Sequence, residues 1–216
     1  MKGSGKQPTR PAAVGAFLNI PFDSTFERLY LAYIAGLSAC GLAPRAALEV
    51  PSGGSMHDRI DRIFSILKDC AYSLHDLSRI QTDRTPPRTP RFNMPFELGM
   101  AVAWAETSGG PDHTWFIFES QSGRLAKSLS DLRGIDEFVH GGTISGLFGC
   151  FNNAFVRADH RPTMRDLQLI YRDLRRSLPL IRDDAGAKSS FESRVFSDLV
   201  VAARISARNH ISWLAS

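Results

Sequence analysis

Apolar and polar positions alternate along this chain in a way that predicts strands and helices in turn. An apolar, β-compatible run from Val14 to Ile20 stops at Pro21. Asp23 or Ser24 then caps a segment in which Phe26, Leu29, Tyr30, Tyr33 and Leu37 recur at helical spacing. Gly41 closes that helix, and Leu42 to Val50 predicts a second strand ahead of the Pro51-Ser52-Gly53-Gly54-Ser55 turn. Ile60, Ile63, Phe64 and Leu67 follow at three- and four-residue spacing, with Asp58, Arg59, Asp61, Arg62 and Lys68 between them, which marks an amphipathic helix. Cys70 to Asp76 predicts a third strand, and a polar, proline-rich loop leads through Arg91 to a helix running to about Glu106. Beyond the Gly109-Gly110-Pro111 break come a strand at Thr114 to Phe118, a short one at Ile135 to His140, and a helix over Thr143 to Val156.

This order predicts an α/β fold, a parallel sheet of about five strands flanked by helices. From Thr163 only helical patterns remain, one on Leu167, Ile170, Tyr171 and Leu174 and one on Phe191, Val195, Phe196 and Leu199. The expected organisation is a disordered arm over residues 1–13, an α/β domain over 14–158, and a helical extension over 159–216 that packs on that domain or forms a partner interface.

Composition narrows the picture. With 216 residues, 43% hydrophobic and 22% charged, the chain has enough apolar material for one well-buried core and is neither disordered nor fibrous. The formal charge is +4, but the arginines are dispersed and form no long basic run, which argues against nucleic acid as partner. Cys40, Cys70 and Cys150 are odd in number, far apart and set among apolar residues, as reduced thiols are. Neither a signal-peptide pattern nor a membrane-spanning run is present, so the expected setting is the cytoplasm, with no membrane partner.

Candidate chemistry concentrates in Pro90-Arg91-Phe92-Asn93-Met94-Pro95-Phe96-Glu97-Leu98-Gly99-Met100-Ala101, which places Glu97 just inside a helix start entered through Asn93. Ligands of an open parallel sheet collect beyond the carboxyl ends of its strands. The residues to watch are therefore Asn19 to Asp23, Arg45 to Glu49, His75 to Arg79 and Asn93 to Glu97. Asp76 and Glu97 belong to one β-loop-α unit, and a return of the chain onto its own strand end would bring both carboxyls to one pocket. Two carboxyls in a water-excluding cleft take different pKa values, a division suited to cleaving a glycosidic bond through an oxocarbenium-like state.

Each of these residues also has a purely structural reading. Glu97 suits a helix N-terminus, Asp76 a loop cap or a pair with Arg79, Asn19 and Asp23 a turn and an N-cap, and Arg45 with Glu49 an ion pair. Histidines 57, 75, 113, 140, 160 and 210 are scattered, with only His75 beside the expected pocket, and no metal-binding spacing appears. Phosphate-loop, dinucleotide and nucleophile-elbow glycine patterns are missing too.

Phe17-Leu18-Asn19-Ile20-Pro21-Phe22-Asp23, Leu74-His75-Asp76-Leu77-Ser78-Arg79 and Phe96-Glu97-Leu98-Gly99-Met100-Ala101 together resemble the nucleoside 2-deoxyribosyltransferase-like superfamily over about the first two-thirds of the chain. The chain is also similar to TIR-type domains, whose flavodoxin-like sheet carries a glutamate that cleaves the nicotinamide bond of NAD, and above all to a bacterial TIR-like family with an Arg-Phe-Asn-Met-Pro-Phe-Glu-Leu-Gly signature. The resemblance implies a flavodoxin-like/TIR-like sheet and Glu97 as nucleophile, with Asp76 as the acid that positions or protonates substrate. It implies substrate contacts at Asn19, Phe22, Asp23, Arg45, His75, Arg79, Arg91 and Asn93, with Asn19 and Asp23 on the ribose. NAD would be substrate rather than cofactor, a homo-oligomer the working form, and anti-phage defence the setting.

One departure shifts the expected substrate. Where the transferases carry Asp-Ser-Gly-Thr, this chain has Arg91-Phe92-Asn93-Met94-Pro95, so a cationic rim with Arg79, Arg84, Arg88 and Arg91 favours a phosphate-bearing substrate such as NAD. The competing expectation is a non-catalytic nucleotide sensor or a self-assembly module with the same fold.

Overall fold

The computed structural model describes residues 13–49, 56–80, 90–107, 113–132, 134–155 and 161–215. Its strands are β1 (Gly15–Asn19), β2 (Ala43–Ala46), β3 (Cys70–Asp76), β4 (Thr114–Glu119) and β5 (Glu137–Val139). Every pairing is parallel and the sheet runs β2-β1-β3-β4-β5, a flavodoxin-like order. Parallel strands need crossovers, and these are α1 (Glu27–Ala39), α2 (Met56–Lys68), α3 (Asn93–Thr107) and the short α4 (Leu125–Ser128), with α5 (Ile144–Ala154) following β5.

The chain leaves β1 toward β2, then crosses back over β1 to β3 and continues to β4. With right-handed crossovers that reversal places α1 on one face of the sheet and α2 and α3 on the other. Packing follows this division. Ala16, Leu18, Leu74 and Phe118 share a cluster with the residues of α1 and α5, whereas Phe17 and Cys70 pack with Ile63 and Leu67 of α2 and Ala101 of α3.

α1 is buried continuously from Tyr30 to Ala39. Its sequence offers no polar face, and a helix that is apolar all round has to be covered on all sides. The sheet covers one side. The other is covered by α6 (Met164–Asp184) and α7 (Ser193–His210), whose Leu167, Ile170, Leu174, Val195, Phe196 and Leu199 belong to the same apolar cluster as Leu18 and Leu74. A short α8 (Ser212–Ala215) packs against α7. The helical region expected over 159–216 thus packs on the α/β unit. Residues 1–12 of the expected arm lie outside the described residues.

Local chemistry sets the element ends. Gly41, at φ +76°, takes the left-handed turn that ends α1, with the Leu42 N–H donating to the Leu37 carbonyl at 3.0 Å. Thr163 and Asp166 form a reciprocal capping box at the start of α6. Two expectations are corrected. The second strand does not reach Val50, because the Glu49 carboxylate folds back onto Arg45 Nε and the Ala46 N–H, and Ala47–Glu49 becomes a 3-10 turn. Helix α3 begins at Asn93 itself, so Glu97 sits in its second turn and not at the free N–H groups. No helix among the described residues is long and apolar enough to cross a membrane.

Two glycines give opposite expectations. A Cβ on Gly36 in α1 would lie 2.7 Å from the fully buried Phe151 ring, so Gly36→Ala is expected to destabilise the fold by about 1–3 kcal/mol. Gly99 in α3 has open space at its Cβ, and Gly99→Ala is expected to stabilise by about 0.5–1 kcal/mol. Urea unfolding midpoints check both.

Candidate functional site

The strand order reverses between β1 and β3, and the crevice beyond their carboxyl ends is where a sheet of this order receives ligands. Asn19 closes β1 there. Its Nδ2 donates to His75 Nδ1 at 2.9 Å and to the Met94 carbonyl at 2.8 Å, tying β1 to β3 and to the first turn of α3. Asp23 follows after Pro21 turns the chain. Its Oδ1 accepts from the Thr25 hydroxyl at 2.6 Å and from the Thr25 and Phe26 N–H groups, which caps the turn leading into α1. Asp23 Oδ2 meets Arg91 Nη1 at 2.9 Å and Arg79 Nε at 3.3 Å. Burial alone would raise the Asp23 carboxyl, but the Thr25 hydrogen bond and the charges of Arg79 and Arg91 outweigh it and hold it ionised, below its usual range.

Glu97 shows the opposite shift. Half-buried on α3, it has its carboxyl pushed up to about 7 by burial, with the positive charge of Arg59 on α2 opposing the rise. Asn93 lies one turn before it on the same helix face and is exposed. Phe92 and Phe96 stand beside them with 69% and 56% of their surface exposed.

Asp76 and Glu97 do not come together. Successive strand residues point to opposite faces. Ser73 and His75 turn toward α2 and α3, while Leu74 and Asp76 turn toward α1. Asp76 is wholly enclosed. Its Oδ2 accepts from Tyr33 Oη at 2.8 Å and His140 Nε2 at 3.1 Å, and its Oδ1 from the Ser78 N–H at 2.9 Å and the Ser78 hydroxyl. Both oxygens are occupied, so Asp76 fastens β3, α1 and the segment after β5, and a ligand does not reach it as the chain stands. His140 is oriented in turn by the Gly142 N–H, which donates to its Nδ1 at 3.0 Å. The ion pair of Asp76 with Arg79 is not made, since Arg79 turns to Asp23.

Other candidates separate as well. His75 is wholly buried, with its pKa lowered to about 3 by burial and by His113, and among the described residues its ring bonds to Asn19 and Ser73. Phe22 packs against Tyr30 and Phe191, on the α1 side. Arg45 is committed to Glu49, its Nε lying 2.8 Å and 3.0 Å from the two carboxylate oxygens. Arg84 and Arg88 lie outside the described residues. Two cavities formed by described residues exclude Glu97: one of about 140 Å³ against Ser38, Arg204 and Arg208, and one of about 540 Å³ against Glu27, Pro179 and Arg182. No cluster of three or more histidine, cysteine or acidic side chains suited to a metal occurs among the described residues.

Sequence reasoning missed Tyr33, Ser78 and His140 around Asp76, Ser73 and His113 behind His75, and Arg59 opposite Glu97. His75 is thus not the only histidine involved. Tyr33 and His140 lie 43 and 64 positions from Asp76, and His113 lies 40 from Ser73, so no local spacing announces those contacts. The alternation along β3 was the one available signal, since it already sets Asp76 with Leu74 and apart from His75. In comparisons with known proteins, no family model and no curated protein matches the chain.

The raised Glu97 carboxyl fixes a pH dependence. Its folded pKa of about 7 exceeds the unfolded value near 4.5, so the folded state holds the extra proton between these values and loses stability as pH rises through that window. Glu97→Gln is therefore expected to match wild type below pH 4.5. Above pH 7 it should exceed wild type by on the order of 2 kcal/mol, a value discounted for the part of the side chain left in water. Denaturant titrations at pH 4.5 and pH 8 check this.

Proposed function

We propose that the chain cleaves or transfers an N-glycosidic bond of NAD or a related nucleotide at the β1/β3 crevice, with Glu97 as the group facing the anomeric carbon. The supporting observations are the ion pairs of Asp23 with Arg79 and with Arg91 just ahead of α3, and the place of Glu97 on α3 one turn beyond Asn93, where burial raises its carboxyl to about 7 while Asp23 is held low. Such a divergence is how a site assigns different tasks to similar groups. In this reading the C1′–N bond breaks with its electron pair leaving on the base, and the Glu97 carboxylate stabilises or captures the sugar cation. Water or another acceptor then adds at C1′, and its proton passes to Glu97, whose pKa suits a base near neutral pH.

The enclosure of Asp76 narrows the substrate. A neutral nucleoside needs an acid to protonate its departing base, and Asp76 has no oxygen free for that task. Nicotinamide departs from NAD as a neutral molecule out of a cationic ring and requires no proton, so one carboxylate suffices. NAD therefore fits better than a purine or pyrimidine nucleoside. Arg79 and Arg91 would take its pyrophosphate in exchange for Asp23, and the exposed Phe92 and Phe96 offer rings beside the departing base. Self-association and a place in anti-phage defence belong to the same reading.

The occupied state of Asp76 also favours a second reading, in which the crevice binds a nucleotide and leaves it intact. Incubation of concentrated protein with NAD and with nucleosides, followed by mass spectrometry, separates the two. Wild type is expected to release nicotinamide and to spare the nucleosides, and Glu97→Gln to lose at least about 100-fold in rate. Equal turnover by both proteins removes Glu97 from the reaction. A rise in melting temperature with NAD and no conversion supports binding alone.

A further inference from the structure

Four side chains join in series behind the switch point. Asn19 Nδ2 lies 2.9 Å from His75 Nδ1, His75 Nε2 lies 2.9 Å from Ser73 Oγ, and Ser73 Oγ lies 2.9 Å from His113 Nε2. His113 Nδ1 ends the file 2.8 Å from the Cys70 carbonyl oxygen. Asn19, His75 and Ser73 are essentially without exposed surface, and His113 is half-buried at the start of β4.

Chemistry fixes the direction of every link. An amide Nδ2 only donates and a carbonyl only accepts. From the Asn19 end, His75 Nδ1 has to accept, so the proton of that ring is on Nε2 and goes to Ser73. From the Cys70 end, His113 Nδ1 carries the proton, so its Nε2 accepts from the Ser73 hydroxyl. Both rings are neutral, and they are opposite tautomers. Turning the Asn19 amide over would set Oδ1 against the Met94 carbonyl, two acceptors in contact, and would force both rings to exchange tautomers.

We infer that Ser73, His75 and His113 form a positioning relay that locks the Asn19 amide, uses both Nδ2 protons inside the protein, and leaves Oδ1 as an acceptor for a sugar hydroxyl at the crevice. The two side-chain hydrogen bonds that Asn19 makes to described residues both use Nδ2. The ligand class follows from this polarity. An acceptor takes a hydroxyl and repels phosphate or carbonyl oxygen, so the relay selects a hydroxylated sugar over its deoxy counterpart. The sugar itself rests on the N-glycosidase reading, whereas the tautomer lock does not.

The first arm of the test needs no ligand. Long-range ¹⁵N–¹H correlation spectra of the full chain at pH 7 are expected to show a protonated Nε2 for His75 and a protonated Nδ1 for His113. The same tautomer in both rings, or a charged ring in either, overturns the relay. The second arm measures binding of ribose 5-phosphate and 2-deoxyribose 5-phosphate, which contain no glycosidic base and report nothing about catalysis. Wild type and Ser73→Thr, which keeps the hydroxyl, are expected to prefer the ribose form about 10-fold, the discrimination of one lost hydrogen bond. Ser73→Ala is expected to lose that preference and to shift the Asn19 side-chain amide signals. An undiminished preference in Ser73→Ala, equal affinity for the two sugars in wild type, or no binding of either, overturns the assignment of Asn19. Failure of NAD turnover with the ribose preference retained would sink the N-glycosidase reading alone, because neither arm measures turnover.

Discussion

Complete burial of α1 is the constraint on which the rest of the molecule depends. From Tyr30 to Ala39 the helix presents no side that water can cover, and the sheet can shield only half of it. α6 and α7 supply the other half, which makes the C-terminal helices part of the central cluster. The same requirement holds Tyr33 in place. Its ring packs against Phe118 and Phe151 while its hydroxyl reaches Asp76, so a helix buried for apolar reasons also delivers a donor to the end of β3.

Much of the fold was legible because period and punctuation agreed. The third strand runs over Cys70–Asp76 as its apolar pattern indicates, and the amphipathic spacing around Ile63 and Leu67 marks α2. Errors arose where a side chain acts on its own backbone. Glu49 bends the chain out of β2 by returning to Arg45 and Ala46, a local competition that propensity does not weigh. In α3 the helix takes in Asn93, and one extra residue moves Glu97 from the first turn to the second.

Part of the candidate site was legible in the sequence, which also named Asp76, His75, Phe22 and Arg45 although the structure commits them elsewhere. Asn19, Asp23, Arg79, Arg91 and the start of α3 do converge, because they follow adjacent strands on the same edge of the sheet. Asp76 and His75 are neighbours in sequence, yet the strand sends one into the α1 layer and the other under α3. A strand buried on both faces reads as an unbroken run, so the layer each residue enters emerges only once the helices are placed. Glu97 and Asp23 follow the same principle in electrostatic form: burial moves one carboxyl up, and two guanidiniums with a hydroxyl move the other down.

Asp23 between Arg79 and Arg91 has a consequence for any anion that approaches. Two cations sharing one carboxylate leave a single net positive charge at the mouth of the crevice, and the anionic place between them is already taken by the protein's own side chain. Asp23 is held on its other oxygen by the Thr25 hydroxyl at 2.6 Å, so this internal counter-ion is anchored to the turn that leads into α1.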